Sequence, residues 1–76
     1  MKELIELIAK KLVEHPEDVQ VRVIEGEEEQ SIELRVHPDD MGRVIGKAGR
    51  TAKAMRTLLH SAASKANQRV TLHIVE

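Results

Sequence analysis

Val44-Ile45-Gly46-Lys47-Ala48-Gly49-Arg50 decides how this chain is read. Two glycines three apart stand between an apolar helical end and the start of a second helix. Glycine reaches positive φ at little cost and, lacking a Cβ, lets another backbone come close. A helix N-terminus beyond such a turn offers unpaired N–H groups and partial positive charge, which suits a phosphate. Lys47 between the glycines and Arg50 just after them add full positive charge. Two look-alikes fit poorly. Gly42-Arg43-Val44-Ile45-Gly46-Lys47-Ala48 has three residues between its glycines where a nucleotide-binding P-loop has four. It also lacks Ser or Thr after Lys, and a helix precedes it where a strand should. A DNA-reading helix-turn-helix packs its pair against other helices, whereas here strands flank the pair and the first helix is short. A plain turn needs one left-handed glycine. It does not need a second one, an intervening Lys and bases at Arg43, Lys47, Arg50, Lys53 and Arg56.

Before the loop, Pro38-Asp39-Asp40 has the residue types that favour a helix start, and Met41–Ile45 is only about a turn and a half. After it, residues 50–63 are helical. Ala52, Met55, Leu58, Leu59, Ala62 and Ala63 cover one side, and Arg50, Lys53, Arg56, Thr57 and His60 the other. Extended to Ala54, the apolar arc is wider than the ~100° stripe a core contact needs. Ala54 and Leu58 are the surplus: a self-association surface and a broad core contact both explain them.

Working outward, residues 2–14 form an amphipathic helix with Met1, Leu4, Ile5, Ile8 and Leu12 on its stripe. Leu7 and Val13 fall off that stripe, facing either the core or a partner. His15-Pro16-Glu17-Asp18 stops the helix. Val19–Val23 and Ser31–His37 alternate apolar and polar residues around the acidic turn Glu25–Gln30, giving a hairpin. Ser64–Gln68 is a polar connection to a third alternating strand, 69–75, with Val70, Leu72 and Ile74 facing in. Each strand has one apolar face, so the expected fold is α+β in the order α-β-β-α-α-β, with three helices packed on one face of a three-stranded sheet. No linker or repeat divides the chain, and residues 1–76 read as one domain.

Composition narrows the function. There is no Cys, so neither a disulfide nor a thiolate metal site is available. No secretory leader or apolar run of membrane-spanning length is present, which makes a soluble cytoplasmic protein the expectation. Phe, Trp and Tyr are absent, so single strands cannot be bound by stacking bases on these aromatics, as RRM and OB surfaces do. The net charge of −1 conceals an asymmetry: residues 1–40 carry five bases and twelve acids, while residues 41–75 carry seven bases and no acid. Such a split suggests a polyanion partner for the basic half. The bland alternative is a neutral domain with salt bridges between its halves. The acidic turn needs no function of its own, and it keeps phosphates away from its end of the molecule. His15, His37, His60 and His73 lack metal-ligand spacing, and the strand positions of His37 and His73 face solvent. Ser31, Ser61 and Ser64 have no identifiable base, so no catalytic residue, metal site or cofactor is expected.

An Ile followed by Gly-x-x-Gly between two helices resembles the signature of the KH domain. The element order resembles the prokaryotic, type II arrangement of that domain. The chain further resembles the small stand-alone bacterial KH proteins of the KhpA type. The likeness runs through Leu12–Val19, Asp39–Gly42 and Gly49–Ala54, and so covers nearly all of the sequence. It implies binding of single-stranded RNA by a non-enzymatic protein, an RNA chaperone or post-transcriptional regulator, whose loop clamps about four nucleotides. Gly46 and Gly49 would then allow close approach, Lys47 would pair with a phosphate, and small Ala48 would leave the groove open. Arg50, Lys53, Arg43 and Arg56 would extend the track, and Ile45 with Val44 would lie under the loop. The resemblance also implies a homodimer and pairing with a larger KH-domain protein, with Ala54 and Leu58 as the residues to watch. A protein-interaction adaptor with weak RNA binding is the alternative.

Overall fold

A computed structural model describes residues 2–76; Met1, which the periodicity places on the first apolar stripe, lies outside the described residues. Helix α1 spans Lys2–Leu12 and stops two residues short of the expected end. The reason is local. Val13 N–H still bonds Ala9 C=O at 3.2 Å, but the next two N–H groups, of Glu14 and His15, donate to the Asp40 carboxylate instead. Ile5 and Ala9 are fully buried, with Ile8 and Val13 packed against the core. Val13 therefore widens the core contact. Leu7, 55% exposed, does not, and Leu4 lies at the margin of the stripe.

Strands β1 (Gln20–Glu25) and β2 (Gln30–Arg35) pair antiparallel, Val21 opposite Leu34 and Val23 opposite Ile32. Gly26 N–H closes the acidic turn onto Glu29 C=O at 2.8 Å. Strand β3 (Val70–Val75) runs parallel to β2, with Leu72 beside Ile32 and Ile74 beside Leu34. A parallel neighbour needs a crossover connection, and the helix–loop–helix supplies it. The ladder boundaries sit one or two residues from the alternating runs; Val19 and Val36 continue the inward pattern beyond the paired segments and are buried.

One face of the sheet is therefore apolar and covered. Helix α1 packs on β1 and β2, α3 (Arg50–Lys65) packs on β3, and α2 (Met41–Ile45) bridges α1 and α3. The core is aliphatic: Ile5, Ile32, Leu34, Val44, Met55 and Leu59 are each at most 2% exposed. Truncating Leu34 or Leu59 to Ala should cost about 2–5 kcal/mol, a large part of what holds a domain this small. The other face presents Arg22, Glu33 and His73 side by side, and a Thr71–Ser31 hydroxyl bond of 3.3 Å. The observed element order is the expected α+β order.

A buried carboxylate locks α1 to the head of α2. Asp40, 1% exposed, accepts from Glu14 N–H, His15 N–H and His15 Nδ1, each at 3.1 Å. The His15 ring in turn stacks on His37, with centroids 4.2 Å apart and planes within 15°. This corrects the solvent-facing placement of His37: its side chain is about two-thirds covered, and Nδ1 accepts from Asp39 N–H at 3.0 Å. Burial opposes the Asp40 charge, but the Glu14 N–H, the His15 ring and the His15 N–H outweigh it and hold the carboxyl below its ordinary 3.8. The same bond to Asp40, partly offset by desolvation, raises His15 above its ordinary 6.5.

The signs set a pH window. The His15 contribution is complete below pH 6.5 and is lost as pH rises through the raised folded value. The Asp40 contribution is complete above pH 3.8 and is lost as pH falls through the lowered one. Urea unfolding measured across this range should show stability falling on both sides of the window. His15→Gln should flatten the alkaline side; an unchanged alkaline slope in that variant would show that another group titrates there.

Candidate nucleic-acid interface

Helix α2 ends because Gly46 leaves the helix. Its φ of 78° and ψ of 171° lie in a region that side chains other than hydrogen avoid. Ala48 (φ 57°) and Gly49 (φ 74°, ψ 13°) follow in the left-handed region, with Lys47 between. Three of the four loop residues thus have positive φ, and the turn Lys47–Gly49 projects between α2 and α3. Gly46 N–H bonds Gly42 C=O at 2.9 Å, Gly49 N–H bonds Gly46 C=O at 3.1 Å, and Arg50 N–H bonds Lys47 C=O. Among the described residues no backbone hydrogen bond of the loop uses the N–H of Lys47 or Ala48, so both head the turn as free donors.

The two glycines do different work. A Cβ on Gly46 would meet the backbone nitrogen of Thr51 at 2.8 Å and its Cβ at 2.7 Å. The close approach expected at Gly46 is therefore made within the chain, by the first turn of α3. At Gly49 nothing lies within 4 Å of a Cβ position, so that side is the open one. Thr51 is the residue that the sequence reading missed. Only its spacing of five from Gly46 marks it, and no pattern rule assigns meaning to that spacing.

The side chains sort clearly. Val44 is fully buried, whereas Ile45 beside it is 37% exposed and borders the loop. Lys47, Ala48, Arg50, Lys53 and Arg56 are exposed. Among the described residues no ion pair involves Lys47, Arg50, Lys53 or Arg56. Arg43 differs: its guanidinium bonds Glu14 and lies 3.7 Å from Asp40. Arg50, Lys53, Ala54, Thr57 and Leu58 line a shallow, largely apolar groove on α3. Leu58 is 49% exposed there and Ala54 is exposed beside it, so neither belongs to the core. Among the described residues no group of His, Asp and Glu is placed to hold a metal ion, and no helix is long and apolar enough to cross a membrane.

The family model described as KhpA/KhpB, KH domain, matches residues 2–74. The chain belongs to this family. It is a KH domain of the KhpA/KhpB type. Relatives named RNA-binding protein KhpA span it end to end. The one from Clostridium perfringens is 56% identical over 99% of this chain and all of its own length. The one from Halalkalibacterium halodurans is 54% identical over the full length of both. The one from Aquifex aeolicus is 49% identical over all of this chain and 96% of its own.

The KH loop geometry orders three glycine substitutions by stability. Gly46→Ala combines a disfavoured backbone with an unrelieved contact and should cost about 2–4 kcal/mol. Gly49→Ala meets no neighbour and should cost about 1–2 kcal/mol, for the left-handed φ alone. Gly42, helical and with open space, should gain about 0.5–1 kcal/mol as Ala. Urea denaturation of the three variants reads the order directly.

Proposed function

We propose that residues 1–76 act as a single KH domain that binds single-stranded RNA through the Gly46–Gly49 loop. In this reading the protein is a non-enzymatic RNA chaperone or post-transcriptional regulator in the cytoplasm. The observation that carries the proposal is the juxtaposition of open loop N–H groups with four cations that have no partner among the described residues. Lys47 and the loop N–H groups hold phosphates, and the open Cα of Gly49 lets the sugar-phosphate backbone come close. Small Ala48 leaves that approach clear. Arg50, Lys53 and Arg56 continue the track along α3, and Ile45 supplies an apolar edge for a base. Arg43, already neutralised by Glu14, contributes least. The names of the relatives support RNA as the polyanion.

Binding of a short single-stranded RNA should weaken by about 0.7 decades per decade of salt for each phosphate neutralised. Lys47→Asp with Ala48→Asp should abolish binding while cooperative unfolding persists, because both side chains are exposed and Asp tolerates the left-handed region. Salt-insensitive or absent binding by the parent chain would favour an adaptor role instead.

The half-exposed Leu58 beside Ala54 favours a second role for α3, as a surface for another copy of this chain or for a larger KH protein. Leu58→Glu should lower the mass measured by light scattering. An unchanged mass would remove Leu58 from any interface.

A further inference from the structure

The far end of α3 holds a polar cavity of about 570 Å³ that the loop does not reach. It lies between the helix end, the connection to β3 and the acidic hairpin turn, and it is seated by a 2.8 Å bond from Gln30 N–H to Arg69 C=O. Its lining carries both charges, Glu28 and Glu29 with Arg69, together with His60, Asn67 and Gln68. Among the described residues these carboxylates and this guanidinium form no ion pair, although they line the same space. Both kinds of group are therefore open to a ligand that presents donors to the carboxylates and acceptors to the guanidinium.

One exposed face of α3 connects this cavity to the loop. Arg50, Lys53, Thr57, His60 and Ser64 follow one another at spacings of three and four, which places them in one row. The first three line the groove beside the loop, and the last two line the cavity. His60 lies about 15 Å along the helix from Arg50, at the end of the row remote from the loop. A strand leaving the loop along this row meets cations first and then two carboxylates, which repel phosphate. The backbone is excluded there, and a base edge is not.

We infer that this cavity takes the base of a nucleotide lying along α3 away from the loop, and that the base is guanine. The inference rests on the proposed RNA binding. An ionised carboxylate only accepts hydrogen bonds and has two oxygens to do so. Guanine alone among the four bases presents two adjacent donors, N1–H and N2–H, on its Watson–Crick edge. Its O6 and N7 are acceptors for Arg69, the pairing that Arg makes with guanine elsewhere. His60 supplies a flat face on which the base can stack, in a chain with no Phe, Tyr or Trp.

The test uses short oligouridine strands carrying one guanosine at each position in turn, with the all-uridine strand as reference. The preference should peak at a single position, where binding tightens on the order of tenfold. Glu28→Gln with Glu29→Gln should level guanosine with uridine at that position. Salt-dependent binding of all strands with no preferred position would overturn the guanine pocket and leave the RNA reading standing. A preference that survives the double variant, or one independent of position, would likewise overturn the pocket. Failure of every strand to bind would overturn both readings.

Discussion

The contact between Gly46 and the first turn of α3 sets the geometry on which the candidate site depends. Thr51 stands where a Cβ of residue 46 would be, so α2 and α3 meet more closely than any side chain larger than hydrogen allows. With the helices held this near, the four-residue connection has no room to lie flat and projects outward through three positive φ angles. The projection has an electrostatic result. Backbone N–H groups are presented at one end of α3 together with Lys47 and Arg50, which have no ion pair among the described residues. Ala48 carries the conformational cost of that arrangement, since a left-handed alanine is disfavoured by about 1–2 kcal/mol.

A second constraint keeps this end of the molecule in place. Asp40 binds the chain just after α1 to the chain just before α2 through three hydrogen bonds, so the short α2 does not rely on its five residues alone. Arg43 extends the tie to Glu14. Two neighbouring requirements are thereby separated: Arg43 serves the scaffold, while Lys47, Arg50, Lys53 and Arg56 stay available. The charge split along the sequence thus resolves only partly into internal salt bridges. Most of the basic half is left facing solvent.

Element types were legible in the chain because strict alternation and 3.6-residue periodicity are local properties. Ile32, Leu34 and Val36 were readable as one inward row, and Gly46 and Gly49 as a loop between helices. What local pattern does not contain is the identity of distant neighbours. Periodicity carries α1 two residues too far because Asp40, more than twenty positions away, captures the N–H groups of Glu14 and His15. Alternation puts His37 in solvent because it does not foresee a ring arriving from His15. Local pattern does not foresee that Glu14 and Asp40 set Arg43 apart from the rest of the basic run. Periodicity marks Ala54 and Leu58 as the surplus of the apolar arc but leaves their side open, and α3 turns both outward.

The claim that single-stranded RNA is held at the loop and along α3 is tested most directly by an amide chemical-shift map with a short oligonucleotide. The account predicts the largest changes at Lys47, Ala48, Gly49 and Arg50, continuing through Lys53 and Thr57, with Arg22, Glu33 and His73 on the open sheet face unmoved. Changes centred on that face or on α1, with the loop silent, would contradict it.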